Sequence, residues 1–329
     1  MPRVLHVGPC NARGGMATVM RTLAEHPPEG WSADLLPTFS EGGIWAKWRA
    51  YRRARMELKR RCTSQEVCPD IVHVHVASDW SWRRKSRLIR SVQKQRVALV
   101  VHLHSGRFET WIARGGERRA GHIRRLLSAP MTRAVVLSNA WKNRLESIIG
   151  PADVIGNPYL LSEFSGEVTR EPFHLLLLAR NDPIKGHDFA IKVAQKLRDE
   201  FPTLRLTMTG VTQSEHDWVE AKGWVSEEEK AALLARASVL LLPSAFEGQP
   251  VVALEALAAG LSVCVSDRVM GLPDTVMHAT WGDVHAWVSM LGAMLSNPRE
   301  EDILRSSIDE HAIDHVQQRW KSVYDSLLV

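Results

Sequence analysis

Two glutamates, Glu247 and Glu255, stand in the otherwise apolar segment PSAFEGQPVVALEALAAG at residues 243–260. A carboxylate among Val, Leu and Ala side chains costs free energy unless a partner hydrogen-bonds to it. The two oxygens of one carboxylate can accept hydrogen bonds from two adjacent hydroxyl groups, such as a vicinal pair on a sugar. The segment therefore points to sugar recognition, and the alternative is a solvated turn followed by an exposed helix face.

The flanking residues indicate which elements hold these glutamates. The run ASVLLLPS at 237–244 has the length and composition of a parallel strand that is buried on both faces. Pro250 suits the first turn of a following helix, and Gly260 suits the position just beyond its end. The segment is therefore predicted to be a strand, a loop and a helix.

This prediction places Glu247, Gly248 and Gln249 on the loop, at the carboxyl end of a parallel strand. Open α/β sheets bind their ligands at that edge. Glu255 follows about one and a half turns into the helix, where its neighbours are apolar. Both carboxylates are therefore expected to belong to one binding site.

A second loop of the same kind, ARNDPIKG at 179–186, carries Arg180 and Lys185. Arg can hold a diphosphate through two hydrogen bonds, and Lys can neutralise it as a point charge. A solvated basic loop explains one such pair equally well. The pair is more suggestive of a diphosphate site because the half of the chain that contains it is acidic.

The charge is divided unequally along the chain. Residues 1–160 hold 27 Lys+Arg and 12 Asp+Glu, a net charge of +15, whereas residues 161–329 hold 15 and 25, a net charge of −10. The composition, 45% hydrophobic and 24% charged, is that of a folded globular protein. The four cysteines show no CxxC spacing, and neither a signal-peptide pattern nor an apolar run of 18 residues is present. These features favour a cytoplasmic protein without a disulfide framework.

Strand-like and helical stretches alternate in two successive sets, which predicts two parallel sheets covered by helices. The first set runs from RVLHV at 3–7 to RAVVLS at 133–138, and the second from HLLLLA at 174–179 to LSVCVS at 261–266. The predicted fold class is α/β, with two Rossmann-like, doubly wound domains that face each other across a cleft. The predicted domains are 1–158 with a returning C-terminal helix at 312–329, and 159–311.

The first strand-to-helix connection, GPCNARGGMATVM at 8–20, places Gly14 and Gly15 before a helix predicted to begin near Met16. Small residues there let a phosphate approach the free N–H groups of the helix. An ordinary tight turn explains the two glycines equally well, because the stretch matches neither a dinucleotide fingerprint nor a P-loop.

Two His-x-His pairs lie on predicted strands of the first domain, so each pair shares one face of its strand. Without a carboxylate or cysteine at metal-ligand spacing, no zinc cluster is predicted. His75 and His104, which are nearest the strand ends, are expected to contact substrate hydroxyls. His73 and His102 are expected to be hydrogen-bonded core residues.

Together these motifs resemble the retaining glycosyltransferases of the two-domain GT-B fold, specifically glycosyltransferase family 4. In chain order they are Gly14-Gly15, DIVHVH, VVHLHSG, VVLSNAW, IGNP, ARNDPIKG, GWVSEEEKAALLARAS, PSxxEGxPxxxLEAxAxG and GLPD. The pattern that contains both glutamates is the most specific of them. The chain departs from the family after GLPD, where the usual strand is expected to be missing and MHATWGDVHAW to lead directly into a helix.

The resemblance implies a role for each candidate residue. Glu255 would hold the ribose hydroxyls of the donor, Arg180 and Lys185 its diphosphate, and Glu247 the transferred sugar. His104 would lie beside the sugar and the acceptor. The implied catalytic residues are Glu247, His104, Arg180 and Lys185. The implied donor-binding residues are Gly15, Arg180, Lys185, Trp224, Val225, Glu247, Gly248, Gln249 and Glu255, and the residues expected near the acceptor are His75, Gly14 and Arg107.

The resemblance also implies the course of the reaction. The anomeric configuration would be retained, by front-face attack in which the departing phosphate takes the acceptor's proton. The protein would mainly neutralise the developing diphosphate with cations and helix N-termini, so no divalent metal and no cofactor is expected. A hexose or N-acetylhexosamine would pass from a nucleoside diphosphate sugar to a hydroxyl acceptor in glycan or glycolipid biosynthesis, with a UDP-sugar favoured over a GDP-sugar.

The basic first half is where the acceptor is expected. The stretch GIWAKWRAYRRARMELKRRC at 43–62 predicts an amphipathic helix that combines Trp with Arg, as in helices that lie in an anionic membrane interface. Further basic runs follow at 83–90 and 114–127. This predicts a peripheral protein on the inner face of the cell membrane with a lipid-linked or phosphorylated acceptor. The alternative is a helix packed on its own domain with a solvated Arg face. The residues expected on the apolar face are Ile44, Trp48, Tyr51, Leu58 and Cys62.

Other functional classes explain less of the sequence. A nucleic-acid-binding protein would account for the basic half, but not for the two glutamates or the acidic half, so no nucleic-acid partner is expected. A transferase with a soluble small-molecule acceptor, or a sugar-nucleotide epimerase, would use the same donor residues. The epimerase would need no acceptor, and this difference separates it from a transferase.

Overall fold

The computed structural model describes residues 1–160 and 169–328. The chain divides into two compact units: unit 1 is Met1–Pro158 with His311–Val329, and unit 2 is Tyr159–Glu310. Residues 161–168 of the second predicted domain and Val329 of the predicted C-terminal helix lie outside the described residues.

Unit 1 begins with six strands that alternate with helices. The strands are β1 (Arg3–Gly8), β2 (Ser32–Pro37), β3 (Ile71–Val76), β4 (Ala98–Leu103), β5 (Thr132–Val136) and β6 (Asp153–Val154). The helices are α1 (Gly15–Glu25), α2 (Ile44–Thr63), α3 (Trp80–Lys94), α4 (Phe108–Ala113), α5 (Gly116–Leu127) and α6 (Asn139–Ile149). All strands are parallel in the order β2-β1-β3-β4-β5-β6. Every residue of β3 and β4 is buried, as expected for central strands with helices on both faces.

Unit 2 repeats this architecture. Its strands are β7 (His174–Leu177), β8 (Arg205–Met208), β9 (Val219–Ala221), β10 (Val239–Leu242), β11 (Ser262–Ser266) and β12 (Met277–Ala279). Its helices are α7 (His187–Leu197), α8 (Glu227–Arg236), α9 (Val251–Ala258), α10 (Val284–Ser296) and α11 (Glu301–Ser306). The strands are again parallel, in the order β12-β11-β10-β7-β8-β9. Both sheets are therefore doubly wound, and the α/β fold class predicted from the sequence is confirmed.

The chain returns to unit 1 with α12 (Ile313–Leu328). Val316, Trp320 and Tyr324 recur every four residues along this helix and are buried. The Tyr324 hydroxyl lies 2.8 Å from Nδ1 of His73 on β3. The returning helix therefore packs on the sheet of unit 1.

One expectation about unit 2 is wrong. No strand was expected between GLPD and the following helix, but β12 pairs with β11 there, with Cys264 opposite Met277 and Ser266 opposite Ala279. The strand has three residues, and one of them is the exposed His278, so the stretch lacks the apolar run that marks a buried strand. Backbone pairing at the sheet edge forms this strand.

Within residues 1–160 and 169–328, every helix is too short or too polar to cross a lipid bilayer.

Candidate functional site

The loops after β7 and β10 form the centre of the candidate site in unit 2. These strands are parallel neighbours, so both loops leave the same edge of the sheet. The backbone N–H of Ala245 on one loop donates a hydrogen bond to the carbonyl of Ile184 on the other, with N and O 2.8 Å apart. The edge predicted to bind a ligand is therefore formed by two loops that are joined to each other.

Gly186 brings the first loop against the second. Its φ of 79° is in the left-handed region, and a Cβ atom there would lie 3.0 Å from Cγ and 3.1 Å from the carbonyl oxygen of Pro243. Glycine is the residue that takes up this conformation and this contact without strain. The preceding 3-10 turn, Pro183–Lys185, is capped by the Asp182 carboxylate, which accepts a hydrogen bond from the N–H of Ile184.

This packing brings two of the predicted residues together. The ammonium group of Lys185 donates a hydrogen bond to Oε1 of Glu247, and both side chains are half-buried. The pair joins a cation suited to phosphate oxygens with a carboxylate suited to hydroxyl groups. A phosphorylated sugar presents both of these groups, so the pair has the chemistry to bind one.

Arg180 lies on the same loop and is exposed, with Nη2 3.1 Å from Oδ2 of Asp182. The loop rests on Gly210, where a Cβ atom would lie 2.6 Å from the backbone nitrogen of Asn181. The Thr209 hydroxyl accepts a hydrogen bond from the N–H of Ala179 at 3.0 Å. The backbone that carries Arg180 is thus held by the end of β8, while the guanidinium group faces solvent.

Glu255 lies in α9 and is 3% exposed. Its Oε1 is 2.7 Å from Nζ of Lys230 on α8, and the same Nζ is 2.6 Å from Oε2 of Glu227. Burial raises the pKa of Glu255 above its usual value, and the Lys230 ammonium opposes that shift. In turn, the Glu255 carboxylate raises the pKa of Lys230, although burial acts in the opposite direction. The arrangement favours an ionised pair at neutral pH.

Lys230 was not selected from the sequence. The available signal is its position in KAALLA, where it is the only charged residue of an apolar stretch and stands three residues after Glu227. A lysine in such a stretch can equally well extend into solvent, because its long side chain reaches water from a partly buried position. Its pairing with Glu255 depends on how α8 and α9 pack together.

Trp224 and Val225, which the family resemblance places among the donor-binding residues, lie directly before the N-cap residue of α8. Ser226 caps this helix by accepting a hydrogen bond from the N–H of Glu229 at 3.1 Å. Trp224 is 53% exposed, whereas Val225 packs against the apolar core around α9 and β11. Trp224 therefore lies just before the helix that carries Lys230, the partner of Glu255.

Gly248 and Gln249 are both buried at the start of α9. The Gln249 side chain donates a hydrogen bond from Nε2 to the carbonyl of Gly271 at 2.6 Å. Pro250 is the N-cap residue of α9, one position before the predicted first turn, and Gly260, with a φ of 70°, follows the C-cap residue Ala259. The strand, loop and helix expected for this segment are therefore all present.

In unit 1, Gly14 is the N-cap residue of α1 with a φ of 127°, and Gly15 is the first helical residue. The helix begins one residue before the predicted position near Met16. At the end of β1, a Cβ atom on Gly8 would lie 3.3 Å from Cβ of His75. Glycine therefore allows the first connection to pass close to the histidines on the neighbouring strand.

His75 and His104 are brought together, with Nδ1 and Nε2 2.9 Å apart. His75 is buried and His104, just after β4, is half-buried. Burial lowers the pKa of His104 to about 3, so its imidazole is neutral at physiological pH. Arg107 is the N-cap residue of the short helix α4, and its backbone N–H donates a hydrogen bond to the Ser105 hydroxyl at 3.2 Å.

The two histidines expected in the core behave differently. Both nitrogens of His73 have partners, Tyr324 and His102. His102 is buried as well, but its Nε2 has no hydrogen-bond partner among the described residues. Both histidines are therefore hydrogen-bonded core residues as expected, but only one of the two ring nitrogens of His102 has a partner among the described residues.

Comparison with known proteins agrees with this organisation. Residues 172–297 match the sequence profile of the family described as glycosyl transferases group 1. A curated relative, the glycogen synthase of Mycobacterium tuberculosis, is 27% identical over 282 residues, which cover 77% of this chain and 66% of the relative. The chain thus spans about two thirds of the length of that relative.

Two solved structures share the architecture at low sequence identity. Sucrose-phosphate synthase from Thermosynechococcus elongatus superposes with a TM-score of 0.68 at 16% identity, over 99% of this chain and 97% of that protein. The pneumococcal O-GlcNAc transferase GtfA, solved in complex with UDP and GlcNAc, gives a TM-score of 0.61 at 14% identity, over 86% of this chain and 61% of that protein. Residues 172–297 therefore carry a glycosyl transferases group 1 domain, and the chain has the two-domain α/β fold of GT-B glycosyltransferases.

Proposed function

We propose that the protein is a retaining glycosyltransferase of family 4, which moves a hexose or N-acetylhexosamine from a nucleoside diphosphate sugar to a hydroxyl acceptor. The observation that carries this proposal is the contact between Lys185 and Glu247, which joins the loops after β7 and β10. One side chain suits a diphosphate and the other suits a sugar, at the sheet edge where α/β proteins bind ligands. Both residues lie within the range 172–297 that matches the family profile.

The donor diphosphate would lie against Lys185 and Arg180. The ammonium of Lys185 would exchange its bond to Glu247 for phosphate oxygens, which releases the carboxylate to accept hydrogen bonds from the sugar. Arg180 is exposed and would turn from Asp182 to hold the diphosphate with two hydrogen bonds. The two cations would neutralise the charge that develops on the leaving group, so we expect transfer to proceed without a divalent metal.

The nucleoside would lie between Trp224 and Glu255. The exposed indole of Trp224 offers a face on which a base can stack, and the Glu255 carboxylate would accept hydrogen bonds from the two ribose hydroxyls. The structure of the pneumococcal transferase contains UDP and GlcNAc, which supports a UDP-sugar as the first donor to test.

Unit 1 would receive the acceptor. Gly15 would border the donor diphosphate, His104 would lie beside the transferred sugar, and His75, Gly14 and Arg107 would lie on the acceptor side. Because His104 is neutral and half-buried, it would position a hydroxyl through a hydrogen bond without adding charge. In front-face attack, the leaving phosphate would accept the proton of the acceptor hydroxyl.

The surface of α2 supports a membrane-linked acceptor. Tyr51, Leu58 and Cys62 of its predicted apolar face are buried, whereas Ile44 is 83% exposed and Trp48 is 48% exposed. Trp45, which is 74% exposed, meets Trp48 edge to face with ring centroids 6.1 Å apart. The beginning of α2 thus presents large apolar side chains that the described residues leave exposed.

Basic residues surround these exposed rings. Lys47, Arg49 and Arg52 are exposed on the same helix, and the Arg52 guanidinium lies 5.3 Å from the centroid of the Trp48 ring. Indole rings in the headgroup region and Arg beside anionic phosphates form the binding mode of an interfacial helix. We therefore place the enzyme at the cytoplasmic face of the membrane, with a lipid-linked or phosphorylated acceptor in glycan or glycolipid biosynthesis.

Ligand-induced stabilisation tests the donor site. Purified protein is melted with UDP, GDP, ADP, dTDP or CDP, each with and without EDTA, and the Glu255→Ala variant is compared. A ligand at 100 times its dissociation constant adds about 2.7 kcal/mol to the free energy of unfolding. We expect one nucleotide to raise the melting temperature with or without EDTA, and Glu255→Ala to abolish that shift.

Glu228→Ala is the matched control, since it removes an exposed carboxylate from the first turn of α8. This variant should keep the full nucleotide shift. A wild-type protein that responds to no nucleotide, or a Glu255→Ala variant that responds like wild type, would contradict the proposed donor site. Conversion of the nucleotide sugar in the absence of any acceptor would instead identify an epimerase.

A further inference from the structure

Five imidazole rings lie side by side on one face of the unit 1 sheet. In the strand register, His6 on β1 stands opposite His73 on β3, and His75 on β3 stands opposite His102 on β4. His104 follows His102 by two residues and shares its face. All of these residues except the half-buried His104 are buried.

The rings form two separate series of hydrogen bonds. In one, His6 Nδ1 is 3.0 Å from His75 Nε2, and His75 Nδ1 is 2.9 Å from His104 Nε2. In the other, the Tyr324 hydroxyl is 2.8 Å from His73 Nδ1, and His73 Nε2 is 3.2 Å from His102 Nδ1. The second series of hydrogen bonds ends at His102, whose other ring nitrogen is Nε2.

That last nitrogen has no hydrogen-bond partner among the described residues, although His102 is 1% exposed. Buried polar atoms are nearly always paired, so this one marks a place where another group is expected. One ring nitrogen from each of His75, His102 and His104 lies within 4.8 Å of the other two. Three nitrogens around a tetrahedral zinc ion are about 3.3 Å apart, given zinc–nitrogen bonds of about 2.0 Å. Small side-chain rotations would bring the three rings to that spacing.

We propose that His75, His102 and His104 bind a transition-metal cation of the zinc class. The remaining ring nitrogens suit this role, since a metal-bound imidazole donates its other N–H to a neighbouring acceptor. His75 would donate from Nε2 to His6, and His102 would donate from Nδ1 to His73, which in turn contacts Tyr324. The metal-binding histidines are therefore already held by a surrounding set of hydrogen bonds.

The ligand set determines which metals fit. Three imidazoles without a carboxylate favour Zn²⁺, Co²⁺, Ni²⁺ or copper, whereas Mg²⁺ and Ca²⁺ require oxygen ligands. Three protein ligands leave a fourth position of a tetrahedral ion open to a small molecule. The half-buried His104 provides the side from which an ion reaches the site.

The three histidines belong to unit 1, whereas the proposed phosphate-binding residues Arg180 and Lys185 belong to unit 2. The metal would bind His75 through Nδ1, so it would replace the present hydrogen bond between His75 Nδ1 and His104 Nε2. The test therefore measures metal binding directly and does not depend on glycosyl transfer.

Cobalt titration provides the test. Tag-free protein is treated with EDTA, dialysed and titrated with Co²⁺, whose tetrahedral complexes absorb visible light, and Zn²⁺ is then added to displace the Co²⁺. The titration is repeated with His102→Asn and His104→Asn, after thermal unfolding has shown that each variant is folded. His311→Asn, which removes a buried histidine of unit 1 outside the cluster, is the matched control.

We expect wild type and His311→Asn to bind one equivalent of Co²⁺, which Zn²⁺ displaces. Each ligand variant should bind about a hundredfold more weakly or worse, because changes of residues around a metal already cost 10- to 100-fold in affinity. A wild-type protein that binds neither metal overturns the proposal, and so do ligand variants that bind as tightly as wild type. If His102→Asn does not fold, the metal affinity of His104→Asn decides the question. His104 is the least buried of the three histidines, so its substitution disturbs the core least.

Discussion

Lys230 on α8 holds the Glu255 carboxylate of α9 through a contact of 2.7 Å between Nζ and Oε1. Glu255 is 3% exposed, so its charge has little access to water. Two buried opposite charges roughly offset their desolvation cost, but either one alone is strongly destabilising. The pair thus keeps an ionised carboxylate in the helix that follows the candidate sugar-binding loop.

Removal of Lys230 should destabilise the protein more than removal of the whole pair. We expect Lys230→Met to lower the free energy of unfolding by about 3–5 kcal/mol at pH 7, because it leaves an unpaired buried charge. The double variant Lys230→Met/Glu255→Gln should recover most of that loss. Urea unfolding of wild type, both single variants and the double variant gives the coupling energy. Equal losses in Lys230→Met and the double variant would contradict the pairing.

The stability of Lys230→Met should also depend on pH. Burial already raises the pKa of Glu255, and loss of the ammonium raises it further. A carboxyl group whose folded-state pKa exceeds its unfolded value of about 4.3 binds a proton more readily in the folded state, so stability increases as pH falls through the folded-state pKa. The deficit relative to wild type should therefore shrink between pH 7 and pH 5 in urea titrations. A deficit that stays constant would show that Glu255 does not titrate in this range.

Lys185 should matter for the phosphates of the donor and not for its nucleoside. We expect Lys185→Met to weaken binding of the preferred nucleoside diphosphate by about 10- to 100-fold, the equivalent of one hydrogen bond to a charged group. Binding of the corresponding nucleoside should be unchanged. Isothermal titration with both ligands makes the comparison, and Lys192→Met on α7 is the control. An equal loss for both ligands would mean that the substitution disturbs the loop as a whole.

Gly210 should tolerate a methyl group less well than Gly30, although their φ angles are 83° and 82°. A Cβ atom on Gly30 meets nothing within 4 Å, whereas one on Gly210 lies 2.6 Å from the backbone nitrogen of Asn181. Gly30→Ala should therefore cost about 1–2 kcal/mol for the left-handed backbone alone. Gly210→Ala should cost about 1–3 kcal/mol more, since backbone atoms must move. Urea unfolding compares the two, and similar losses would show that the loop yields easily.

Cys68 should react faster with a thiol reagent than the other three cysteines of the native protein, because it is the one that is only half-buried. Cys10, Cys62 and Cys264 are buried, and burial raises the pKa of Cys62 and of Cys264 to about 12. The thiolate is the reactive form, so burial both limits the access of the reagent to these thiols and keeps them protonated. Labelling should modify about one thiol per chain before denaturation and four after it, and Cys68→Ser should remove the fast reaction. Fast labelling of the Cys68→Ser variant would contradict the burial of the other thiols.

The exposed rings at the start of α2 should anchor the protein to anionic vesicles. We expect wild type to float with vesicles that contain phosphatidylserine at low salt, and high salt to weaken the binding because it screens the Arg charges. Trp45→Ser/Trp48→Ser should abolish flotation. Trp281→Ser, which removes an exposed tryptophan of unit 2, should not. Failure of the wild-type protein to float at low salt would remove the membrane from the proposed function.

The strands visible in the sequence are the interior strands of both sheets. These strands are rich in Val, Leu and Ile because an interior parallel strand is buried on both faces. The four strands not recognised among the described residues, β2, β6, β9 and β12, are the outermost strands of the two sheets. An edge strand covers less apolar surface and is defined by backbone pairing to one neighbour, which leaves little trace in composition.

The sequence by itself determined the α/β class, the strand-loop-helix arrangement around Glu247 and Glu255, and the candidate cations Arg180 and Lys185. Each of these depends on residues close together in the chain. Only the tertiary structure decided that Lys185 contacts Glu247, that Lys230 contacts Glu255, and that one nitrogen of His102 has no hydrogen-bond partner within the described part of the chain. Partners 62 and 25 residues apart meet because separate strands and helices pack together, and this packing is not encoded in any local pattern.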